Sequence, residues 1–273
     1  MTKPIVIIGG RGKTGARVEQ RLVDMRLPVR LASRGTGFDW TDRASWSKAL
    51  KGAGAAYITY VPDLSVAGSG DDIAALAELA LSLGVRRLVL LSGRGEPAAQ
   101  DAEQRLIDSG ADWTIVRASW FNQNFDEGQF LPMILGGEVA LPVDAVREPF
   151  VDADDIADVA VAALTDDRHI GQVYEVTGPR LLTFREAVGE INAAAGLTVA
   201  FRTMPTDAFG AYLNGSGMPE QYVELVTELF GVVLDGRNES LGDGVQRALG
   251  RAPRDFSDFA QAAAAKGSWR VAA

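Results

Sequence analysis

Gly9, Gly12 and Gly15 stand three residues apart directly behind the run Ile5-Val-Ile-Ile8. A continuous apolar run rich in β-branched residues reads as a strand buried on both faces, as in a parallel sheet. Beyond the glycines, Val18, Leu22 and Met25 fall on one face of a helix. A strand that passes into a helix through such glycines fits few folds. The first glycine permits the tight turn, the second lets the backbone approach a pyrophosphate, and the third lets the helix lie close to the strand. Amide groups at the helix start then face the phosphates. The turn Gly9-Gly10-Arg11-Gly12-Lys13-Thr14-Gly15 is therefore read as a dinucleotide-binding turn, with Arg11, Lys13 and the Thr14 hydroxyl as further contacts. It is not a Walker A loop, because Ile7 stands where that motif needs its first glycine.

The alternation continues along the chain. Strands are expected at residues 29–33, 55–61, 87–91, 113–117 and 173–176. Helices are expected from 43 to 50, 71 to 83, 97 to 109 and 152 to 164. Repeated βα units of this length predict an α/β fold of the Rossmann type, a doubly wound parallel sheet. Residues 123–150 read as loop-rich, and from about Pro179 the pattern is mostly helical. The expected organisation is a dinucleotide-binding domain of residues 1–122 plus about 150–178. A smaller, mostly helical substrate-side domain takes about 123–149 plus 179–273.

The net charge of −9 and pI near 4.8 argue against nucleic acid as a partner. There is no cysteine and one histidine, His169, which leaves no basis for a thiolate or a metal centre. No signal peptide is read at the start, and no run of eighteen apolar residues occurs, so a cytoplasmic protein without membrane contact is expected. Composition leaves monomer and homodimer both open.

The end of the second strand bears on which cofactor binds. A carboxylate there would take the 2′-hydroxyl of NAD(H). The chain instead reads Ala32-Ser33-Arg34-Gly35. A guanidinium suits a 2′-phosphate by charge and geometry, which favours NADP(H), with NAD(H) as the alternative. Arg34 stacked on adenine or simply solvated is the competing reading. Asp39 and Trp40 fall where a loop brackets the adenine.

Taken in order, Gly9-x-x-Gly12-x-x-Gly15, Arg34, Leu88-Val-Leu-Leu-Ser92-Gly93, Glu103, Trp113-Thr-Ile-Val-Arg117, Phe121-Asn-Gln-Asn124-Phe125, Pro149 to Ala157 and Val173 to Pro179 resemble the NmrA-like group of atypical short-chain dehydrogenases/reductases. The likeness is to its NAD(P)H-dependent quinone reductases and runs from about residue 5 to 190. It implies that Thr59, Tyr60 and Val61 border the adenosine and ribose. Ser92 and Gly93 would border the nicotinamide ribose, and the segment Ala118, Ser119, Trp120 and Phe121 the nicotinamide. Tyr60, Trp120, Phe121 and Asn124 would contact a small aromatic or quinone-like substrate.

Short-chain dehydrogenases commonly use Tyr-x-x-x-Lys, where the lysine tunes the phenol for proton transfer. None of the five tyrosines here has a lysine four residues on, and no lysine lies between Lys51 and Lys266. No catalytic residue is assigned on this ground. Three readings stay open. The first is a reductase that mainly orients its reactants. The second is a non-catalytic NAD(P)-sensing regulator of the NmrA kind. The third is a tailoring monooxygenase of an aromatic polyketide pathway that relies on its substrate to activate oxygen.

Other features read as structural. Asp152, Asp154, Asp155 and Asp158 open a predicted helix and complement its dipole. His169 falls in a polar loop and reads as solvated. Phe201, Phe209, Tyr212, Tyr222 and Phe230 read as core, and Asn214-Gly-Ser-Gly217 as a flexible turn.

Overall fold

The computed structural model describes residues 2–270. Along the chain come β1 (Ile5–Ile8), α1 (Lys13–Asp24), β2 (Val29–Ala32), α2 (Trp46–Leu50), β3 (Ala55–Ile58), α3 (Ser69–Ser82), β4 (Arg87–Gly93), α4 (Pro97–Asp108) and β5 (Asp112–Ala118). Then follow α5 (Leu131–Leu135), β6 (Glu138–Leu141), β7 (Arg147–Glu148), α6 (Ala153–Thr165) and β8 (Gln172–Val176). The last elements are β9 (Leu182–Thr183), α7 (Phe184–Ala195), β10 (Ala200–Thr203), α8 (Thr206–Gly215), α9 (Glu220–Glu228), α10 (Gly244–Leu249) and α11 (Phe256–Lys266).

The first compact unit holds the described residues up to Ala118, with Ala153–Val176 and Gly242–Arg251. Its centre is a six-stranded sheet in the order β2-β1-β3-β4-β5-β8, parallel throughout. This is the doubly wound Rossmann arrangement expected from the sequence. The order reverses between β1 and β3, and ligands of such sheets bind beyond the carboxyl ends of the strands at that point. All four residues of β1 and of β3 are buried, which explains their uninterrupted apolar sequence. A core of Val6, Ile8, Trp46, Leu76, Leu88 and Leu106, among others, fills one side. Each such side chain contributes roughly 1.5–3 kcal/mol through burial.

The second unit holds Ser119–Asp152, Thr177–Leu241 and the described residues from Ala252 on. Its helices share an aromatic core in which Phe125, Phe130, Phe150, Phe184 and Phe256 meet edge to face or tilted. Two small sheets accompany them, β10 with β6 in parallel and β7 with β9 antiparallel.

Several expectations need correction. Met25 lies outside α1 and is 52% exposed, because the chain turns there to reach β2. The third strand stops at Ile58, three residues early. Within the loop-rich residues 123–150 lie a short helix and two strands, and the mostly helical stretch beyond 179 includes two short strands. Residues 242–251 lie with the first unit, not with the C-terminal helices. Gly242 and Gly244 press on the Glu175 backbone, where a Cβ would come within 2.5 and 2.4 Å of its carbonyl oxygen. Tyr212 is exposed, unlike Phe209 and Phe230. His169 is 1% exposed, and its Nδ1 lies 2.7 Å from the Tyr174 hydroxyl. A polar loop sequence concealed that contact.

Candidate functional site

The glycine turn has the form its spacing predicts. Gly9 has a φ of +78°, and a Cβ there would stand 1.9 Å from Thr59 Oγ1. A Cβ on Gly15 would stand 2.4 Å from the Gly9 carbonyl oxygen and 2.8 Å from Gly10 Cα. Both positions therefore require glycine, the first by conformation and the second by close packing of α1 on β1. Gly12 is exposed and serves as N-cap residue of α1. No side chain caps this helix start, and no acidic residue stands in its first turn. A positive dipole end without a side-chain cap suits a pyrophosphate.

Thr14 departs from expectation. Its hydroxyl oxygen accepts a hydrogen bond from the buried Tyr57 at 3.0 Å, and the residue is 4% exposed. It ties α1 to β3 instead of standing out toward phosphates. Burial raises the Tyr57 pKa, so this phenol stays protonated.

Beyond β2, Ser33 and Arg34 open a 3₁₀ turn. Arg11 and Arg34 are both exposed, and neither side chain makes a hydrogen bond or ion pair with another described residue. The Asp39 carboxylate accepts from Thr41 N and Oγ1 at 2.9 and 2.8 Å. Those bonds, with the charge of Arg34, lower its pKa and keep it ionised.

Trp40 is 7% exposed and wedged among Phe38, Trp46 and Tyr60. Its indole N–H donates to the Thr59 carbonyl at 3.2 Å. Tyr60 lies tilted on Trp40 and donates to Asp72 Oδ2 at 2.7 Å. Arg43 holds the other Asp72 oxygen. The two aromatic rings expected around adenine and substrate thus form one wall, joined by hydrogen bonds to Thr59, just beyond β3, and to α3. Val61, next to Tyr60, is exposed.

Ser92 and Gly93 end β4, in register with Arg117 and Ala118 of β5. Ser92 is 4% exposed, and its Oγ has no hydrogen-bond partner among the described residues. An orphaned hydroxyl at this strand end suits a ribose.

Around it lies an ion network that the sequence reading missed. Arg117 donates to both Glu103 oxygens and to Glu175 Oε1 at 3.0 Å, and Arg94 pairs with Glu175 at 3.3 Å. The hydrogen bonds of Glu103 raise the Arg117 pKa. The helix that lacks the usual lysine carries Glu103 as the partner of Arg117. The acidic start of α6 is likewise an ion cluster. Asp154 and Asp158 pair with Arg21 at 2.7 and 2.5 Å, and Asp155 and Asp158 pair with Arg251 at 2.6 and 2.5 Å.

In the second unit, Ser119 is buried with an unpartnered Oγ, and Asn122 is fully buried with neither amide atom partnered among the described residues. Trp120 and Phe121 are partly exposed, and Trp120 packs on Phe130, Phe184 and Phe230. Asn124 closes the 3₁₀ turn that begins at Asn122. Among the described residues no three His, Cys, Asp or Glu side chains cluster as metal ligands, and no helix is long and apolar enough to cross a membrane.

A Rossmann sheet, a glycine turn before an open helix start and a bare hydroxyl at the end of β4 define a nucleotide-binding α/β protein. No family model matches the chain. It is 30% identical to the uncharacterized oxidoreductase YesF of Bacillus subtilis, over 96% of each chain. It is 30% identical to the NAD(P)H azoreductase of Xenophilus azovorans, over 96% of this chain and 98% of that one. In fold it matches an NADPH-dependent quinone oxidoreductase of Escherichia coli solved with NADPH. That match has a TM-score of 0.76 at 19% identity, over 94% of this chain and 99% of the other. The chain belongs to the NmrA-like family of atypical short-chain dehydrogenases/reductases.

Proposed function

We propose that this chain is an NADPH-dependent oxidoreductase that reduces a small aromatic, quinone-like or dye-like acceptor. The observation that carries this reading is the pairing of the glycine turn with two exposed arginines, Arg11 and Arg34, whose side chains make no hydrogen bond or ion pair with another described residue. The turn suits a pyrophosphate, and the arginines suit a 2′-phosphate. The 30% identity to an NAD(P)H azoreductase supports the substrate class.

Bound NADPH supplies a hydride. The chain's own residues hold and orient. Gly12 and the amides of Lys13 and Thr14 receive the pyrophosphate, and the Ser92 hydroxyl and Gly93 receive the nicotinamide ribose. Ala118 and Ser119 are assigned to the nicotinamide. Trp120, Phe121 and Asn124 are assigned to the acceptor ring. Tyr57 and Tyr60 are both committed to protein partners, so neither serves as the usual phenol. No metal takes part in this reading, and a chelator is expected to leave turnover unchanged.

The test is to incubate purified protein with NADPH or NADH and a panel of quinones and azo dyes. The loss of reduced-nicotinamide absorbance and the uptake of oxygen are followed together. NADPH oxidation that scales with acceptor, without stoichiometric oxygen uptake, is expected. Cofactor binding without oxidation across the panel would overturn the reductase reading.

A further inference from the structure

Between the end of β4 at Gly93 and the start of α4 at Pro97 stands Glu96, the N-cap residue of that helix. Its side chain does not cap the helix. The carboxyl group lies over Gly93 instead. A Cβ at Gly93 would stand 2.1 Å from its Cδ, Oε1 and Oε2. Any residue but glycine at 93 would collide with the carboxyl group in this position.

Glu96 Oε2 is buried and has no hydrogen-bond partner among the described residues, and the same is true of Ser92 Oγ on the adjacent strand end. A carboxylate left bare in this way loses its hydration without compensation. Two further carboxylates oppose its ionisation, Asp63 in the segment after β3 and Glu103 on α4. The charge of Arg117 is engaged by Glu103 and Glu175. Burial first, then Asp63 and Glu103, hold the Glu96 pKa well above the usual carboxylate range. The group holds its proton to higher pH than an ordinary carboxyl group.

We propose that Glu96 is the proton donor of this enzyme, acting at the carboxyl end of β4 in place of the absent tyrosine–lysine pair. The inference rests on the reductase reading above. The acceptor takes a hydride and becomes an anion on oxygen or nitrogen. The Glu96 O–H bond then breaks, and the proton bonds to that atom. Glu96 is left as a carboxylate and regains its proton from water. The need for a donor depends on the anion. A hydroquinone anion is a weak base that water protonates readily. The anion from a reduced azo bond is a strong base that gains much from a positioned acid.

Glu96→Gln tests this, because glutamine has the shape and neutrality of the protonated acid. Four readouts are taken on the intact protein: the thermal unfolding midpoint, NADPH affinity by fluorescence, turnover on each acceptor that the wild type reduces, and the infrared band of a protonated carboxyl near pH 7. NADPH affinity is expected within about twofold of wild type, and turnover is expected to fall more steeply the more basic the reduced anion. The loss reaches about 100-fold for the most basic acceptor and stays below about threefold for an electron-poor benzoquinone. Wild-type turnover declines as pH rises through the Glu96 pKa, and the variant lacks that limb. The carboxyl band of the wild type disappears in the variant.

Equal turnover by the two proteins, a loss uniform across acceptors, or an unchanged infrared band overturns the proposal while leaving the reductase reading intact. A parallel loss of NADPH affinity overturns it also, by making Glu96 a ribose ligand. If the wild type oxidises NADPH with none of the acceptors, the reductase reading fails and the donor role falls with it.

Discussion

Arg117 holds Glu103 through two of its nitrogens and Glu175 through a third, so that one guanidinium joins β5 to α4 and β8. Glu103 is 3% exposed. Removing its partner leaves a buried carboxylate alone, which costs about 3–5 kcal/mol. Arg117→Ala is therefore expected to lose stability on that scale in urea unfolding. The double variant Arg117→Met/Glu103→Leu, which removes both charges, is expected to recover most of it. A double variant as unstable as Arg117→Ala would mean that the pair acts through packing alone.

The Arg34 side chain stands exposed beyond β2 without a hydrogen bond or ion pair to another described residue. A charge-assisted contact to a 2′-phosphate contributes about 1.5–3 kcal/mol. Arg34→Ala should thus weaken NADPH binding by roughly 10- to 100-fold by that measure. NADH, which has no 2′-phosphate, should change by less than about twofold. Titration of nicotinamide fluorescence reads both. Equal losses for the two cofactors would dismiss the phosphate assignment and return Arg34 to stacking on adenine.

How much of this was legible depended on whether the residues concerned interact locally. The strand Ile5–Ile8, the glycine turn and the helix behind it are set by neighbours in sequence, and they lie where spacing puts them. Arg34 was legible for the same reason. The Thr14 hydroxyl was misread because its partner Tyr57 is 43 residues away. Met25 fits the helical period, yet the helix ends one residue before it. The acidic start of α6 invited a capping argument, while Arg21 and Arg251, from distant segments, decide what those carboxylates do. Glu96 carried no signal of its own in the sequence. Its position matters only because Gly93 lacks a side chain where the carboxyl lies. The pairing of Gly93 with Glu at 96 was the one local clue.

Gly15 gives a sharper test of the turn than Gly12. A Cβ at Gly15 meets backbone atoms of Gly9 and Gly10, which cannot move aside without separating α1 from β1. Overpacking of this kind costs typically about 1–3 kcal/mol. Gly15→Ala should lower stability by that amount and weaken both NADPH and NADH, because the amides at the start of α1 shift together. Gly12→Ala, whose Cβ would meet only the Gly9 carbonyl oxygen at 3.3 Å, should spare stability and weaken cofactor binding alone. Stability losses of the same size in both variants would argue against this division of roles between the two glycines.

His169 sets a pH dependence that has nothing to do with the cofactor. Its ring is buried against Tyr174. Burial first, then the charges of Arg168 and Arg87, lower its pKa, while Asp166 opposes them. The folded protein therefore binds this proton less readily than the unfolded chain, whose histidine titrates near about 6.5. Stability from this group is complete above that value and is lost as pH falls below it, because protonation favours the unfolded chain. Midpoints of thermal unfolding between about pH 5 and 8 should drop on the acid side in the wild type. His169→Phe removes the titrating group and should flatten that part of the curve. It also leaves the Tyr174 hydroxyl without its partner, at about 1 kcal/mol throughout the range. An unchanged slope in the variant would assign the acid sensitivity in this range to a group other than His169; Asp255, held below its usual pKa chiefly by Arg180, would act only at lower pH.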